Sequence, residues 1–351
     1  MKVLITGGAG LVGSAAAEYF AARKGGRITV LDNLCRSGLF GCPRRSVEFN
    51  WEYLRRFPNV RRIKADIRDR DALRRALRGG VDAVIHAAGQ PGVPSSIRMP
   101  EEDFSLNACG TLSLLEAVRK YSPRAGFILC SSNKVYGENA GSPPLRRLAR
   151  EYVYADGRKG IAESMPVDNT GHTPYGVSKL CADLYTQEYG RIYGIKTAVF
   201  RMSCIYGARQ FGFEDQGWVA WFTAAALLDR EITIYGDGRQ VRDLLYVSDL
   251  ARAFDNCLRK GKACMRGDVY NIGGGRENSF SLLQILLKLE ALSGRRIKRR
   301  FAPWRRSDQK IYVSDTAKAA RMLDWKPRVG VDEGLDRLFR WTRENIGLLG
   351  R

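Results

Sequence analysis

Residues 2–13, KVLITGGAGLVG, leave few folds open to this chain. The apolar, strand-length run KVLIT (2–6) passes without a spacer into a turn carrying Gly7, Gly8, Gly10 and Gly13. A helical stretch then runs from Leu11 to about Arg23. Glycines at such a strand-to-helix junction allow a tight turn and let the backbone approach a pyrophosphate at the helix N-terminus. A glycine-rich turn alone is common. Here the next apolar run, ITVLD (28–32), ends in Asp32, about 20 residues beyond the glycines, where a ribose-binding acid belongs. A carboxylate there accepts the ribose hydroxyls and repels a 2′-phosphate, so the pattern predicts NAD rather than NADP.

The same rhythm continues. VRRIKAD (60–66), a helix over 69–78, DAVIHAA (82–88), a helix over 103–121, FILCSS (127–132), a helix over 175–193 and KTAVFRM (196–202) follow in turn. Apolar strands alternating with helices predict an α/β protein built on a doubly wound parallel sheet of the Rossmann type. Residues 138–172, rich in Pro, Gly and charge, interrupt the alternation, and an excursion of that length points to a functional loop. Beyond Tyr206 the alternation loosens into a helix over 218–229, ITIYGDG, VYNIGGG and a helical segment over 280–292. The expected division assigns 1–205 and 240–272 to the NAD-binding unit. Residues 206–239 and 273–351 then form a smaller, interleaved C-terminal substrate-binding lobe.

Charge and composition exclude some partners. The net charge is +21, which raises the question of nucleic acid. The basic residues fall in scattered doublets such as Arg74-Arg75 within DALRRALRGG, the pattern of a solvated helix face. No DNA-binding motif or aromatic-interleaved basic stripe accompanies them, so no nucleic-acid partner is expected. A basic envelope instead favours anionic small molecules. No apolar run reaches the roughly 18 residues that span a bilayer, and the first strand leaves no room for a leader, so no membrane association is expected. Eight cysteines without a CxxC pair read as thiols of a cytoplasmic protein. Two histidines, His86 and His172, argue against a histidine-based metal site, and both read as structural.

TPYGVSK (173–179) places Tyr175 and Lys179 four residues apart, on one face of a helix. An ammonium beside a phenol favours the phenolate, and so makes tyrosine a usable base near neutral pH. An amphipathic surface helix has the same spacing. Ser132 favours the chemical reading, because it ends a parallel strand at the edge where such sheets bind ligands. A Ser–Tyr–Lys trio beside a nicotinamide suits hydride transfer at an alcohol.

With TGGAGLVG, HAAG (86–89), Asn107 with Gly110-Thr111, the strand ending at Ser132, YGVSK and GRQVRDLLYVSDLA in this order, the chain resembles the extended short-chain dehydrogenase/reductases of the nucleotide-sugar epimerase/dehydratase family. SSNKVYG, GHTPYGVSK, FRMSCIYGARQFGFEDQGWVAWF and RRSDQKIYVSD resemble its CDP-paratose (CDP-tyvelose-forming) 2-epimerases. The resemblance implies Ser132, Tyr175 and Lys179 as catalytic residues. Around NAD it implies Gly7, Gly10, Leu11, Val12, Asp32, Asn33, Asp66, Ile67, Ala87, Ala88, Gly89 and Asn107, together with Tyr175 and Lys179. Asp66 equally suits a helix cap. For the nucleotide diphosphate sugar it implies Arg209, Gln216, Arg242, Arg306 and Asp308, with Gln210 and Asp215 in the same glycine-rich stretch. Arg242 offers a fork of donors to diphosphate oxygens, although a salt bridge to a neighbouring acid has the same sequence signature. In the family, the helices matching 111–121 and the Tyr175 helix pair across a dimer axis, which implies a homodimer or homotetramer. An apolar stripe equally supports core packing.

Asn133 and Lys134 follow Ser132, where a 4,6-dehydratase carries an acid–base carboxylate pair. An amide and an ammonium suit binding and orientation, so both are assigned to the substrate. The expected reaction is epimerisation of a CDP- or GDP-linked hexose at C2 through a transient 2-keto sugar; the alternatives are a UDP-hexose 4-epimerase and a catalytically silent NAD-binding regulator.

Overall fold

A computed structural model describes residues 1–40, 44–305 and 307–349. Seven parallel strands form its central sheet: β1 (Lys2–Thr6), β2 (Arg27–Asp32), β3 (Val60–Lys64), β4 (Ala83–His86), β5 (Gly126–Ser132) and two strands introduced below. The excursion after β5 begins with a 3-10 segment, Asn133–Gly141, and contains the hairpin β6 (Leu145–Arg147) and β7 (Tyr152–Tyr154). Next come β8 (Lys196–Met202), β9 (Cys204–Tyr206), β10 (Ile232–Tyr235), β11 (Val241–Tyr246) and β12 (Arg266–Ile272). The chain adds β13 (Ser279–Ser281), β14 (Arg299–Ala302) and β15 (Ile311–Tyr312) before it closes with the helix Val331–Glu344. The large sheet has the order β12-β8-β5-β4-β1-β2-β3. It is the doubly wound α/β sheet that the sequence predicts, with the strand order reversing between β1 and β4.

The strands read as nearly continuous apolar runs because helices cover both faces of the sheet. Alternate residues serve opposite layers: Ile5, Val30, Ile85 and Ile128 pack with Phe20 on one side, and Leu4, Leu31, Val84, Phe127 and Leu129 pack with Leu114 and Val118 on the other. Each such side chain is fully or almost fully buried, worth about 1.5–3 kcal/mol of transfer free energy apiece. The parallel register sets Thr6 opposite His86, and Ser132 opposite Met202, so the strand ends that carry Thr6, Asp32, His86 and Ser132 share one edge.

Beside this sheet lie a two-stranded pair, β10 with β14, and a small sheet in which β11 pairs with β9, β13 and β15. Within 240–272, β11 belongs to the small sheet, whereas β12 returns to the large one. A second core of Val219, Ala220, Phe222, Ile234, Leu244, Leu286, Leu335 and Leu338 lies under these elements.

Two helices position the catalytic candidates. Thr173 caps the helix Pro174–Ile192 through its hydroxyl, which accepts from the Gly176 N–H, and Pro174 occupies the first turn. Ala182 and Tyr189 on this helix are core, while Leu184, Tyr185, Ile192 and Tyr193 just beyond its end stay exposed. The single helix expected over 103–121 is instead a short helix Pro100–Phe104, a π-turn Ser105–Cys109 and a helix Gly110–Tyr121. The π-turn places Asn107 out of regular helical phase, facing the residues around Lys179; such insertions recur at functional sites.

The seven described cysteines are free thiols, and Cys130, Cys257 and Cys264 are buried. Both ring nitrogens of buried His86 meet threonine hydroxyls, Thr6 at 2.7 Å and Thr111 at 2.9 Å. Burial holds its pKa down at about 3, so the ring is neutral and structural. Many surface arginines pair with neighbouring carboxylates, among them Arg55 and Arg62 with Glu52 and Arg119 with Glu116. Among the described residues no helix is long and apolar enough to cross a membrane.

Candidate active site

A cleft of about 810 Å³ runs from the β1 turn, past the end of β5, to the small sheet. Gly7, Gly10, Leu11, Val12, Asp32, Asn33, Ile67, Ala87, Ala88 and Gly89 line one end, and Ser132 and Tyr175 the middle. Asn133, Lys134, Arg242 and Asp308 line the other end. Arg209, Gln210, Asp215 and Gln216 also line the cleft, with Arg209 bonded to Glu18 of the helix after the glycine turn and Gln216 to Arg36 after β2. Asp66, Asn107 and Lys179 lie behind the walls, and Arg306 falls outside the described residues.

The glycine end fits a dinucleotide. Gly7 adopts φ +73°, and a Cβ there would stand 2.7 Å from the Ala87 carbonyl, so neither the turn nor its approach to β4 tolerates a side chain. The Gly8–Gly10 backbone then leads into the helix Leu11–Ala21, whose first N–H groups face the cleft. Asp32 accepts from the Ala9 N–H at 2.9 Å and the Leu34 N–H at 2.8 Å, which aims its carboxylate into the cleft. Burial pushes its pKa up, and those two N–H groups pull it back. Each oxygen keeps a lone pair for a ribose hydroxyl. Asp66 is held by Asn33 and by Arg68 instead of lining the cleft; it accepts from the Arg68 backbone N–H as well as the guanidinium.

In the middle, Ser132 ends β5; its hydroxyl accepts from the Lys134 N–H at 3.2 Å and donates to Asn133 Oδ1 at 3.4 Å, near the Tyr175 hydroxyl. The Tyr175 N–H donates to Ser96 at 3.1 Å. Lys179 follows Tyr175 by one turn of the same helix, but the phenol does not respond as expected. Lys179 donates to the Cys130 carbonyl at 2.8 Å, and burial pushes the Tyr175 pKa up to about 12, outweighing the Ser132 hydrogen bond. Tyr175 is therefore a phenol at neutral pH in this geometry, because desolvation exceeds every group favouring phenolate. Burial also lowers the pKa of Lys179, against the pull of the nearby Asp103 and Asp183 carboxylates.

At the far end Arg242 donates to Asp308 at 2.7 Å and to the Val241 carbonyl at 2.7 Å. Of the two readings of Arg242, the salt bridge is present, yet the guanidinium still faces the cleft beside Lys134. Lys134 is held down to a pKa of about 8 by desolvation and by Arg242, with Asp308 opposing. Two cations and one carboxylate thus leave a positive corner, suited to a diphosphate. Arg209 is tied to Glu18 and stacks at 4.0 Å on the Tyr53 ring. The sequence reading missed Arg36, which donates to Gln216 at 2.8 Å, and Arg305, which pairs with Asp215 and covers the Tyr235 ring at 4.0 Å. Both line the cleft, and no local motif marks them, because only tertiary packing brings them there.

Comparison with known proteins places the chain in a family. Residues 3–273 match the model of the NAD dependent epimerase/dehydratase family. A CDP-paratose 2-epimerase of Salmonella typhi is 38% identical over 348 residues, covering 97% of this chain and 99% of that protein. A putative UDP-glucose 4-epimerase of Methanocaldococcus jannaschii is 30% identical over 98% of this chain and 99% of its own length. Among solved structures, UDP-glucuronic acid 4-epimerase of Bacillus cereus, in complex with UDP-glucuronic acid and NAD, superposes with a TM-score of 0.81 at 26% identity, covering 98% of this chain and 100% of that one. A strand-ending serine, a Tyr-x-x-x-Lys helix and a glycine cradle on a doubly wound sheet thus coincide with similarity over nearly the full length, and the chain belongs to the NAD-dependent epimerase/dehydratase family of nucleotide-sugar enzymes.

Proposed function

We propose that this protein is a nucleotide-sugar 2-epimerase of the CDP-paratose type, acting on a CDP- or GDP-linked hexose. The observation that carries the reading is the pair Asn133-Lys134, which faces the cleft directly after Ser132. Elimination of water needs a proton acceptor and a proton donor at those places. The Asn133 amide can serve as neither, which leaves Lys134, mostly an ammonium ion below a pH of about 8, without the second member of the pair. The 38% identity to a CDP-paratose 2-epimerase supports the same choice.

NAD, when bound, supplies the acceptor for a hydride from the sugar carbon and gives it back. The residues of this chain do the rest. Tyr175 acts through its phenolate, the minor form in this geometry. It takes the carbinol proton on its oxygen and returns it when the ketone is reduced, and Ser132 hydrogen-bonds the same sugar oxygen. Lys179, held against β5, favours the phenolate during proton removal. Asn133 both donates to and accepts from a sugar hydroxyl. Lys134 and Arg242 grip the diphosphate, so the hexose turns about a fixed anchor and presents its opposite face.

The alternative, a UDP-hexose 4-epimerase, draws on the similarity to the 4-epimerases. Incubation with CDP-paratose, CDP-glucose, GDP-mannose and UDP-glucose, followed by sugar analysis, separates the two. Inversion at C2 is expected, with a C2 deuterium retained in the product. Inversion at C4, or loss of the C2 label to solvent, overturns the proposal.

The electrostatics of Lys134 add a pH dependence. Its ammonium form binds the diphosphate; this form prevails below a pH of about 8 and is lost above it. KM is therefore expected to rise above pH 8, while Lys134→Arg, charged throughout, abolishes that rise. A KM that stays flat to pH 9.5 in the unmodified protein contradicts a phosphate role for Lys134.

A further inference from the structure

The segment 207–217 leads from β9 to the helix Trp218–Leu227 and lines the cleft through Arg209, Gln210, Phe211 and Gln216. It doubles back on itself: Phe213 and Gln216 exchange backbone hydrogen bonds of 2.9 and 3.0 Å. Its anchors on the cofactor side lie in three helices that follow the glycine turn and β2. From the helix Leu11–Ala21, Glu18 receives the Arg209 guanidinium. From Arg36–Phe40, Arg36 donates to the Phe211 carbonyl at 2.7 Å and to Gln216 Oε1 at 2.8 Å. From Arg44–Tyr53, buried Asn50 donates to the Arg209 carbonyl at 3.2 Å, and the Tyr53 ring carries the Arg209 guanidinium at 4.0 Å. On the substrate side, Arg305 holds Asp215 at 3.0 Å. The segment is thus fastened to both banks of the cleft.

The fastening on the cofactor side is the more extensive. Arg209 is a non-glycine residue at φ +65°, a left-handed conformation that persists only where its surroundings hold it. Here its carbonyl and its side chain are both held. Phe211 meets the rings of Phe49 and Trp341 edge-on, each at 5.5 Å, and Arg36 lies 5.6 Å from the centre of the Phe213 ring. Arg36 itself follows the ribose-binding candidate Asp32 by four residues, and both line the cleft.

We propose that residues 207–217 form a strap that closes over the adenosine half of NAD, with Arg36 as its principal bolt, so that the cofactor enters and leaves only while the strap is unbolted. The inference concerns cofactor exchange and holds whichever sugar carbon the enzyme epimerises. Two charge-assisted hydrogen bonds from one guanidinium keep the open state a minor one, and NAD association and dissociation both scale with its population.

Arg36→Ala withdraws both hydrogen bonds. Dissociation is read by loading the purified protein with radiolabelled NAD, chasing with unlabelled NAD and counting the label retained after gel filtration. Association is read on NAD-stripped protein from the quenching of tryptophan fluorescence. Both rate constants are expected to rise about tenfold or more in Arg36→Ala, while Kd, their ratio, changes less than about threefold. Should Arg36→Ala not fold, Gln216→Ala removes one of the two bonds, and a smaller rise of both rates is expected. A dissociation rate that stays at the parent's value overturns the proposal. So does faster dissociation with unchanged association, the mark of a lost contact to NAD or of a damaged site.

Discussion

Tyr175→Phe is expected to lower kcat about 10³-fold while KM for the nucleotide sugar changes little. That loss, about 4 kcal/mol of barrier, lies within the usual range for removing a positioned proton-transfer group. The reason is specific to this geometry. The phenol stands near the end of β5 beside Ser132, whose aliphatic hydroxyl is a far weaker acid and serves as a hydrogen-bond partner. His86 cannot substitute, because it is buried between two threonines and neutral. Phenylalanine keeps the ring in its packing site, so thermal unfolding stays close to that of the parent. A kcat within tenfold of the parent, measured by C2 inversion, would contradict the role assigned to Tyr175.

Arg242→Ala is expected to raise KM at least 10²-fold, with a smaller effect on kcat. Arg242 is only 13% exposed in its side chain and holds Asp308, which is 23% exposed. Truncation removes the two-pronged donor and leaves Lys134 and Asp308 to offset each other, so the corner loses its net positive charge. Removing one partner of such a charge pair costs roughly 2–5 kcal/mol in binding. Arg242→Lys restores the charge without the fork and is expected to recover part of the loss. A KM of the alanine variant within threefold of the parent's would contradict a role for Arg242 in binding.

Much of the fold was legible before any coordinates. Strands with β-branched and other apolar residues on both faces, separated by helical stretches, specify a doubly wound sheet because burial on both sides demands that composition. The glycine cradle, Asp32, Ser132 and the Tyr175–Lys179 spacing were legible for a related reason. Their positions are dictated by local geometry: a turn, a strand end, a single turn of helix. Other elements left weaker marks. Val331, Leu335, Leu338 and Phe339 form a buried helical stripe that the reading along the chain left unassigned. The helices Arg36–Phe40 and Arg44–Tyr53 were likewise unassigned; in the second, the buried apolar residues are only Val47 and Trp51, too few to mark a helical period.

The π-turn at Ser105–Cys109 had no sequence signature at all, since the apolar period on either side reads as one helix. With it went the hydrogen bonds that Asn107 makes to Asp103 and Ser178. The sequence also could not rank opposing influences on a single proton. It placed an ammonium one turn from a phenol and so predicted a lowered Tyr175 pKa. In the folded chain the ammonium turns to the Cys130 carbonyl, and burial raises that pKa instead.

By itself, then, the sequence determined the sheet, the glycine turn at its ligand-binding edge and the candidates proposed here for proton transfer, because each follows from spacing within a few residues of a strand end. Only the tertiary structure decided how those residues are charged and which cations gather around a diphosphate. Desolvation and long-range ion pairs depend on what the rest of the chain packs against them, and no local pattern encodes that.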